Sequence, residues 1–517
     1  MIESFDYALV DWSRGQFAMT AFFHWLFIPL TIGMTYIIAV AQTIHVKTGD
    51  PHWERIAKFW AKLFGINFAI GVGTGIILGL EFGTNWSNYS WISGDIFGAP
   101  LAAEGLMAFL LESTFIAVMF FGWGKISKKA HLLAIYLTAF GASLSALWIL
   151  VANGWMNYPV GMEFNLDTAR HEMVDFWAVL FSPFAINKFL HTIASCLVIG
   201  SFFIIAVSSW YLLKKREILL AKRSIVIAST FALASSVYVA LTGDGSAYNV
   251  AQHQPAKLAA MEAHYDGKEA AGLVVLGILN PKKEIGDKEK DMFLKLEIPK
   301  ALSFLSFRDF NAFVPGINDL VYGNKDYNIM SATEKMERGR IALEAFADYK
   351  AADAAGDIAL KNEKELLFRQ HYRYMGYGHL SAPEDIIPSI PMTFYSFRIM
   401  VAIGMLLILI AAIYLYLSVK DKLEKYKRLL QVGIWCFPMA FIASMAGWIV
   451  AEVGRQPWTI QGLLTTAKST SNISTNAVIL TFWLFAAVLT VLVIAEVRIM
   501  LKVIKKGPVN KKGGSDV

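Results

Sequence analysis

The stretch "GAPLAAEGLMAFLLEST", residues 98 to 114, sets two carboxylates, Glu104 and Glu112, among Leu, Ala, Met and Phe. On an ideal helix a spacing of eight residues amounts to ~12 Å of rise and ~80° of rotation, so the pair forms a ladder along one side rather than a facing couple. A charged carboxylate at the centre of a bilayer costs ~2.5–3.5 kcal/mol on insertion scales, which reserves such residues for proton paths, ion sites and cofactors. Two carboxyls in series suit stepwise proton transfer. A protonated Glu bonded to a neighbouring helix is the plainer alternative.

Other ionisable groups sit in similar company. Of ten histidines, two fall well inside apolar runs, His24 in "TAFFHWLFIPL" and His191 in "KFLHTIASCLV". Each alone could simply hydrogen-bond to a neighbouring helix. Two of them on otherwise apolar faces raise a metal or haem site. In "AGWIVAEVGRQPW", Glu452 and Arg455 stand one helical turn apart. They form either an i,i+3 ion pair, or an anion site in which Arg455 holds a haem propionate. Arg398, in "YSFRIMVAIG", invites the same reading.

The elements that position these groups are membrane helices. Of 517 residues, 56% are apolar and 17% charged, and the mean hydropathy is +0.47, the balance of an integral membrane protein. Nine apolar segments approach the ~20 residues needed to span a bilayer core: about 16–44, 59–82, 97–123, 131–153, 186–213, 224–242, 391–417, 430–452 and 476–501. The fold expected is all-α, with transmembrane helices 1–6 in 1–242 and helices 7–9 in 391–503. A polar lobe occupies 243–390 and a tail 504–517. The lobe is too long and charged for a simple connection. No signal peptide is expected, and no internal repeat favours an inverted-repeat transporter. The net charge of +6 comes from bases in short loops, which fits a membrane surface rather than nucleic acid. Lys and Arg concentrate in the 1–2, 3–4, 5–6 and 7–8 loops and in the tail. The N-terminus and the lobe are therefore expected outside, the C-terminus in the cytoplasm. His24, Glu104, His191, Arg398 and Glu452 then fall in the outer half of the membrane, with Glu112 nearest the middle. Cys196 and Cys436 lie apart in apolar runs and no C-x-x-C-H occurs, which argues against covalent haem, zinc and iron–sulfur sites.

The stretches "TAFFHWLFIPLTIGM", "FWAKLFGINFAIGV", "GDIFGAPLAAEGLMAFLLEST", "LSALWILVANGWMNYPVG", "KFLHTIAS", "FRIMVAIG" and "AEVGRQPW" resemble subunit I of the cytochrome bd quinol oxidases, through all nine spans in order. The lobe resembles the quinol-binding Q-loop of the long variety. The resemblance implies three haems: a low-spin haem b, a high-spin haem b and the chlorin haem d. It makes His191 and Met400 the axial ligands of the low-spin haem b. It gives His24 and Glu452 to haem d and the high-spin haem b, in a pairing that varies among members. It also implies Trp448 in cofactor binding, Glu104 beside haem d, and Glu112 and Ser145 in proton supply. Arg398 and Arg455 would support the haems. In "KLAAMEA", Lys257 and Glu262 would bind quinol and take its proton, although by itself that stretch is an ordinary amphipathic helix.

The implied reaction oxidises ubiquinol or menaquinol at the outer face of a bacterial cytoplasmic (inner) membrane and reduces dioxygen to water at haem d. Charge separation would arise without pumping. Implied partners are a homologous subunit II, small single-helix accessory subunits and membrane lipid. Two intramembrane histidines are too few for a haem–copper oxidase or a bis-histidine cytochrome b. A haem-free proton or cation transporter is the competing class, and it leaves the GRQPW match and the lobe unexplained.

Overall fold

The structure is a computed structural model that describes residues 6–508; of the expected tail, only 504–508 fall among them. Among the described residues there are nine stretches helical, long and apolar enough to cross a membrane, as the hydropathy pattern predicts. The first is two helices, α1 (Tyr7–Trp25) and α2 (Ile28–Thr48). Pro29 has no N–H to offer the Trp25 carbonyl, and its ring crowds that position. The chain therefore tightens, with Leu26 and Phe27 bonding back to Phe23 and His24. The bend falls directly after His24.

Asp50 caps α3 (Pro51–Thr84) by accepting from the His52 amide. Two short helices, α4 (Ser87–Ile92) and α5 (Gly94–Ala103), lead into a π-helical turn at Glu104–Phe109 and then α6 (Leu110–Phe121). Ser127 caps α7 (Lys128–Asn157). A hairpin of β1 (Met162–Asn165) and β2 (Arg170–Met173) and the short α8 (Phe176–Leu180) precede α9 (Pro183–Leu213). Gly33 of α2 and Gly200 of α9 meet where those helices cross. A Cβ at Gly33 would stand 2.9 Å from the Gly200 Cα, so only glycine permits the approach.

The sixth span, α10 (Ile218–His253), continues for three turns beyond residue 242, through the polar "GDGS". Its Gly243 and Gly245 lie against His191 and Asn187 of α9. Packing thus keeps helical a segment whose composition reads as loop.

The lobe opens with α11 (Pro255–Glu262). It continues through β3 (Lys268–Glu269), β4 (Leu273–Leu279), β5 (Met292–Ile298), α12 (Ala301–Phe307), β6 (Phe313–Val314), α13 (Ile317–Tyr322), α14 (Ala332–Ala355) and α15 (Ile358–His371). Strands β4 and β5 pair antiparallel, as do β3 and β6. Tyr265, Val321 and Met336 share one apolar core with Phe394 of the seventh span and Trp458, just beyond the eighth, which fixes the lobe to the bundle. The chain returns through α16 (Ile390–Val419) and α17 (Lys427–Glu452). It then makes a hairpin of β7 (Trp458–Ile460) and β8 (Leu464–Thr465), a turn of helix α18 (Thr466–Ser469), and α19 (Thr475–Lys506).

Helix α9 packs on α10 and α17, and α16 packs on the same two. These four close a ring in which α9 and α16 stand diagonally. Helices α1, α3 and α19 pack together beside it. Along α19, Leu480, Trp483, Leu484 and Val491 are exposed, the apolar outer face of a helix long enough to span a bilayer.

Candidate functional site

The four-helix ring presents His191 from α9 and Met400 from α16. His191 Nδ1 lies 2.9 Å from the Thr242 hydroxyl of α10. That hydroxyl donates its proton to the Tyr238 carbonyl at 3.0 Å, so it accepts from Nδ1–H and leaves the Nε2 lone pair free for a ligand. The other two helices supply clearance. A Cβ at Gly243 of α10 would stand 3.6 Å from His191 Cε1, and one at Gly447 of α17 would stand 3.0 Å from Met400 Sδ. An imidazole and a thioether on diagonal helices, with glycines on the flanking pair, suit a planar haem held inside a bundle.

The second histidine repeats the device. His24 Nδ1 lies 2.9 Å from the Thr74 hydroxyl of α3, which donates to the Gly71 carbonyl at 2.8 Å. Nε2 is again left as the acceptor. A Cβ at Gly75 would come within 3.0 Å of the His24 ring. Next in sequence, Trp25 stands edge-on to Trp448 at 5.2 Å and donates to Ser444 at 2.9 Å. Trp448 precedes Glu452 by about one turn, so α17 bridges the His24 and Glu452 regions.

Glu452 pairs with Arg455 at 2.5 Å, as its i,i+3 spacing predicts. It also accepts from Asn153 at 3.1 Å and lies 3.8 Å from Lys188. Lys188 in turn donates to Asn153. Two cations thus surround one carboxylate, and Arg455 Nε has no partner. The excess positive charge fits an anionic group such as a haem propionate. Among the described residues no three His, Cys, Asp or Glu side chains gather around a point. One or two protein ligands are what an iron already held by a macrocycle needs.

Glu104 accepts from Ser145 of α7 at 2.7 Å, and Glu112 is buried on α6. At Gly141 of α7 a Cβ would press on Leu111 at 2.9 Å and on Glu112 at 3.2 Å, so a glycine makes room for the second carboxylate. The π turn between them changes the ideal-helix expectation. It absorbs one extra residue, so the eight-residue spacing rotates like seven, to an offset of ~20° rather than ~80°. Both carboxyls therefore face nearly the same side.

In the lobe, Glu262 is buried and paired with Arg398 at 2.7 Å. Arg398 also donates to the carbonyls of Met261 and Val274, while Glu262 Oε1 has no partner. Burial pushes the Glu262 carboxyl up to about 7 although Arg398 pulls it down. Burial, with Lys188 nearby, pushes Lys257 down to about 7. Lys257 donates to the Ala451 carbonyl at 2.8 Å and packs against Gly454. Five residues of helix separate the two by ~140°. Lys257 therefore faces the Glu452 cluster and Glu262 faces Arg398, and they do not form one pair. The two arginines differ as well: Arg455 serves Glu452, whereas Arg398 is committed to the lobe.

Lys188, Asn153, Thr74 and Thr242 join the site without a role predicted from the sequence, although Lys188 and Asn153 lie within the quoted motifs. A lysine three residues before His191 was a usable signal; the threonines, in apolar runs rich in Ser and Thr, were not.

The model of the family described as cytochrome bd terminal oxidase subunit I matches residues 12–508. The chain belongs to this family. It is 40% identical over 508 residues to the cytochrome bd-II ubiquinol oxidase subunit 1 of Escherichia coli (strain K12), covering 97% of each chain. It is 36% identical over 497 residues to the cytochrome bd ubiquinol oxidase subunit 1 of Bacillus subtilis (strain 168), covering 96% of this chain and 93% of that one. The solved structure of the bd oxidase from Geobacillus thermodenitrificans superposes with a TM-score of 0.77 at 27% identity, covering 98% of this chain and 100% of that one. Family membership makes the chain a subunit of a haem-containing membrane oxidase, and the relatives' designation as subunit 1 implies a second subunit.

Proposed function

We propose that this subunit oxidises quinol at the outer membrane face and delivers the electrons to dioxygen at haem d, without pumping protons. The observation that carries the reading is that Glu262 is bound to Arg398, two residues before Met400 on α16. The quinol-side base is thereby tied to the helix that offers an iron ligand. His191 and Met400 would hold a low-spin haem b. His24 and Glu452 would hold the haem d and the high-spin haem b, with Trp448 between them. The haems supply one-electron transfer and oxygen binding.

The chain's own groups manage protons and charge. Glu262 Oε1, buried and without a partner, is placed to take a quinol hydroxyl proton. Lys257 holds the neighbouring helix end, and Arg398 orients the base. Arg455 and Lys188 supply positive charge for propionates. Glu112, then Glu104 with Ser145, pass protons from the cytoplasmic side. Two quinols and one dioxygen give two quinones and two waters. Four protons leave outside while four enter from the cytoplasm, so charge separation follows from placement alone. In this reading the N-terminus and lobe face outside a bacterial inner membrane and the tail is cytoplasmic. A homologous subunit II completes the enzyme, with small accessory subunits and lipid around it.

A visible spectrum of the purified protein together with a quinol oxidase assay tests this. Haem b and haem d bands with quinol-dependent oxygen uptake are expected. Absence of both bands would overturn the reading and leave a haem-free proton or cation transporter.

A further inference from the structure

Glu81, near the end of α3, is 0% exposed, and neither carboxyl oxygen has a hydrogen-bond partner. The polar side chains facing it are Gln16 and Thr20 of α1. Along α1, Ser13, Gln16 and Thr20 are fully buried and recur with His24 at spacings of three, four and four, one helical face. On α3, Thr74 and Glu81, with Asn85 at its C-terminal cap, are also buried and share the opposing face at spacings of seven and four. The two polar stripes form a seam. It begins at the His24–Thr74 contact and runs to Asn85, whose carbonyl accepts from the Ser471 amide at 2.8 Å while the Ser471 hydroxyl accepts from the Ser87 amide at 2.8 Å.

The hydrogen-bond inventory sets the state of Glu81. The Thr20 hydroxyl spends its proton on backbone carbonyls of its own helix at 3.1 Å, so toward Glu81 it can only accept. Gln16 Oε1 is taken by Thr481 at 3.0 Å, whereas Gln16 Nε2 has no partner and can only donate. Neither side chain is in direct hydrogen-bond geometry with the carboxyl, whose two oxygens meet no donor, and burial without a countercharge keeps such a group protonated. Ser13 Oγ and Asn85 Nδ2 also lack partners. So many unsatisfied buried atoms along one line call for ordered water.

We propose that this seam is a hydrated channel joining the His24 pocket to the lobe-side surface, in which Glu81 is a neutral carboxyl with an exchangeable proton. The seam rests on the reading of His24 as a cofactor ligand only for its use. With the oxygen-reducing haem on His24, the seam would be a polar exit for product water towards the surface that does not pass Glu112.

Infrared spectroscopy of the purified oxidase in H2O and D2O tests the channel without turnover. The carbonyl stretch of a protonated carboxyl should be present in the wild type and lost in Glu81→Gln, and it should shift within minutes of transfer to D2O. Gln16→Leu places an apolar side chain in the seam. The band should remain there and its shift should slow by tenfold or more. Haem spectra of both variants report folding and the cofactor reading separately. A protonated-carboxyl band unaltered by Glu81→Gln would overturn the neutral carboxyl. An exchange rate unaltered by Gln16→Leu, or a wild-type band that never shifts, would overturn the channel.

Discussion

The Thr242 hydroxyl of α10 lies 2.9 Å from His191 Nδ1 and spends its own proton on the Tyr238 carbonyl. This fixes the imidazole tautomer before any ligand arrives. Losing such an outer partner costs a ligating histidine about 10–100-fold in metal affinity. Thr242→Val is therefore expected to retain haem poorly at the His191 site, whereas Thr242→Ser keeps it. Reduced-minus-oxidised spectra with haem extraction measure the effect, and an undiminished low-spin signal in Thr242→Val would remove the proposed role.

Quinol oxidation should depend on pH through Glu262. Burial places its carboxyl at about 7. Below that pH it is protonated and cannot accept a quinol proton; above it, it is ionised and can. The rate should climb as pH rises through about 7 and then level. Glu262→Gln should lose that rising limb and fall by about 10²-fold, the lower end of what a positioned base contributes. A rising limb that survives the substitution would exclude Glu262 as the acceptor.

Much of this arrangement was legible because membrane chemistry is sparse. A carboxylate or histidine inside an apolar run stands out, which is why Glu104, Glu112, His24 and His191 are found from residue type alone. Met400 is not: a methionine in a membrane helix looks like any other apolar residue, and only the family motif points to it. The π turn at Glu104–Phe109 was hidden because a one-residue bulge leaves the hydropathy run intact. The extension of α10 to His253 was hidden because its polar residues face neighbouring helices. The division of labour between Lys257 and Glu262 depends on packing against α17 and α16, which spacing on an eight-residue helix does not encode.

Proton supply can be separated from cofactor retention at α6 and α7. Glu112→Gln preserves shape but cannot relay a proton through a carboxylate, and Ser145→Ala removes the donor 2.7 Å from Glu104. Both variants should keep their haem content. Oxygen uptake should fall by about 10²-fold in Glu112→Gln and by less in Ser145→Ala, where water can replace the hydroxyl. Turnover equal to wild type in Glu112→Gln would place the proton path elsewhere.

Gly447 tests the ring from the side opposite His191. A Cβ there would stand 3.0 Å from Met400 Sδ, a contact that a flexible thioether can relieve by moving a few tenths of an ångström. Gly447→Ala should therefore bind haem nearly normally with a perturbed low-spin spectrum. Gly447→Val adds two further methyl groups in the same place, and overpacking of that kind costs about 1–3 kcal/mol. The valine must displace Met400 from the ring interior, so the low-spin signal should be lost while signals from the His24 side persist. Spectra and thermal melts of the two variants measure this series. If Gly447→Val keeps a full low-spin signal, Met400 does not ligate from this position.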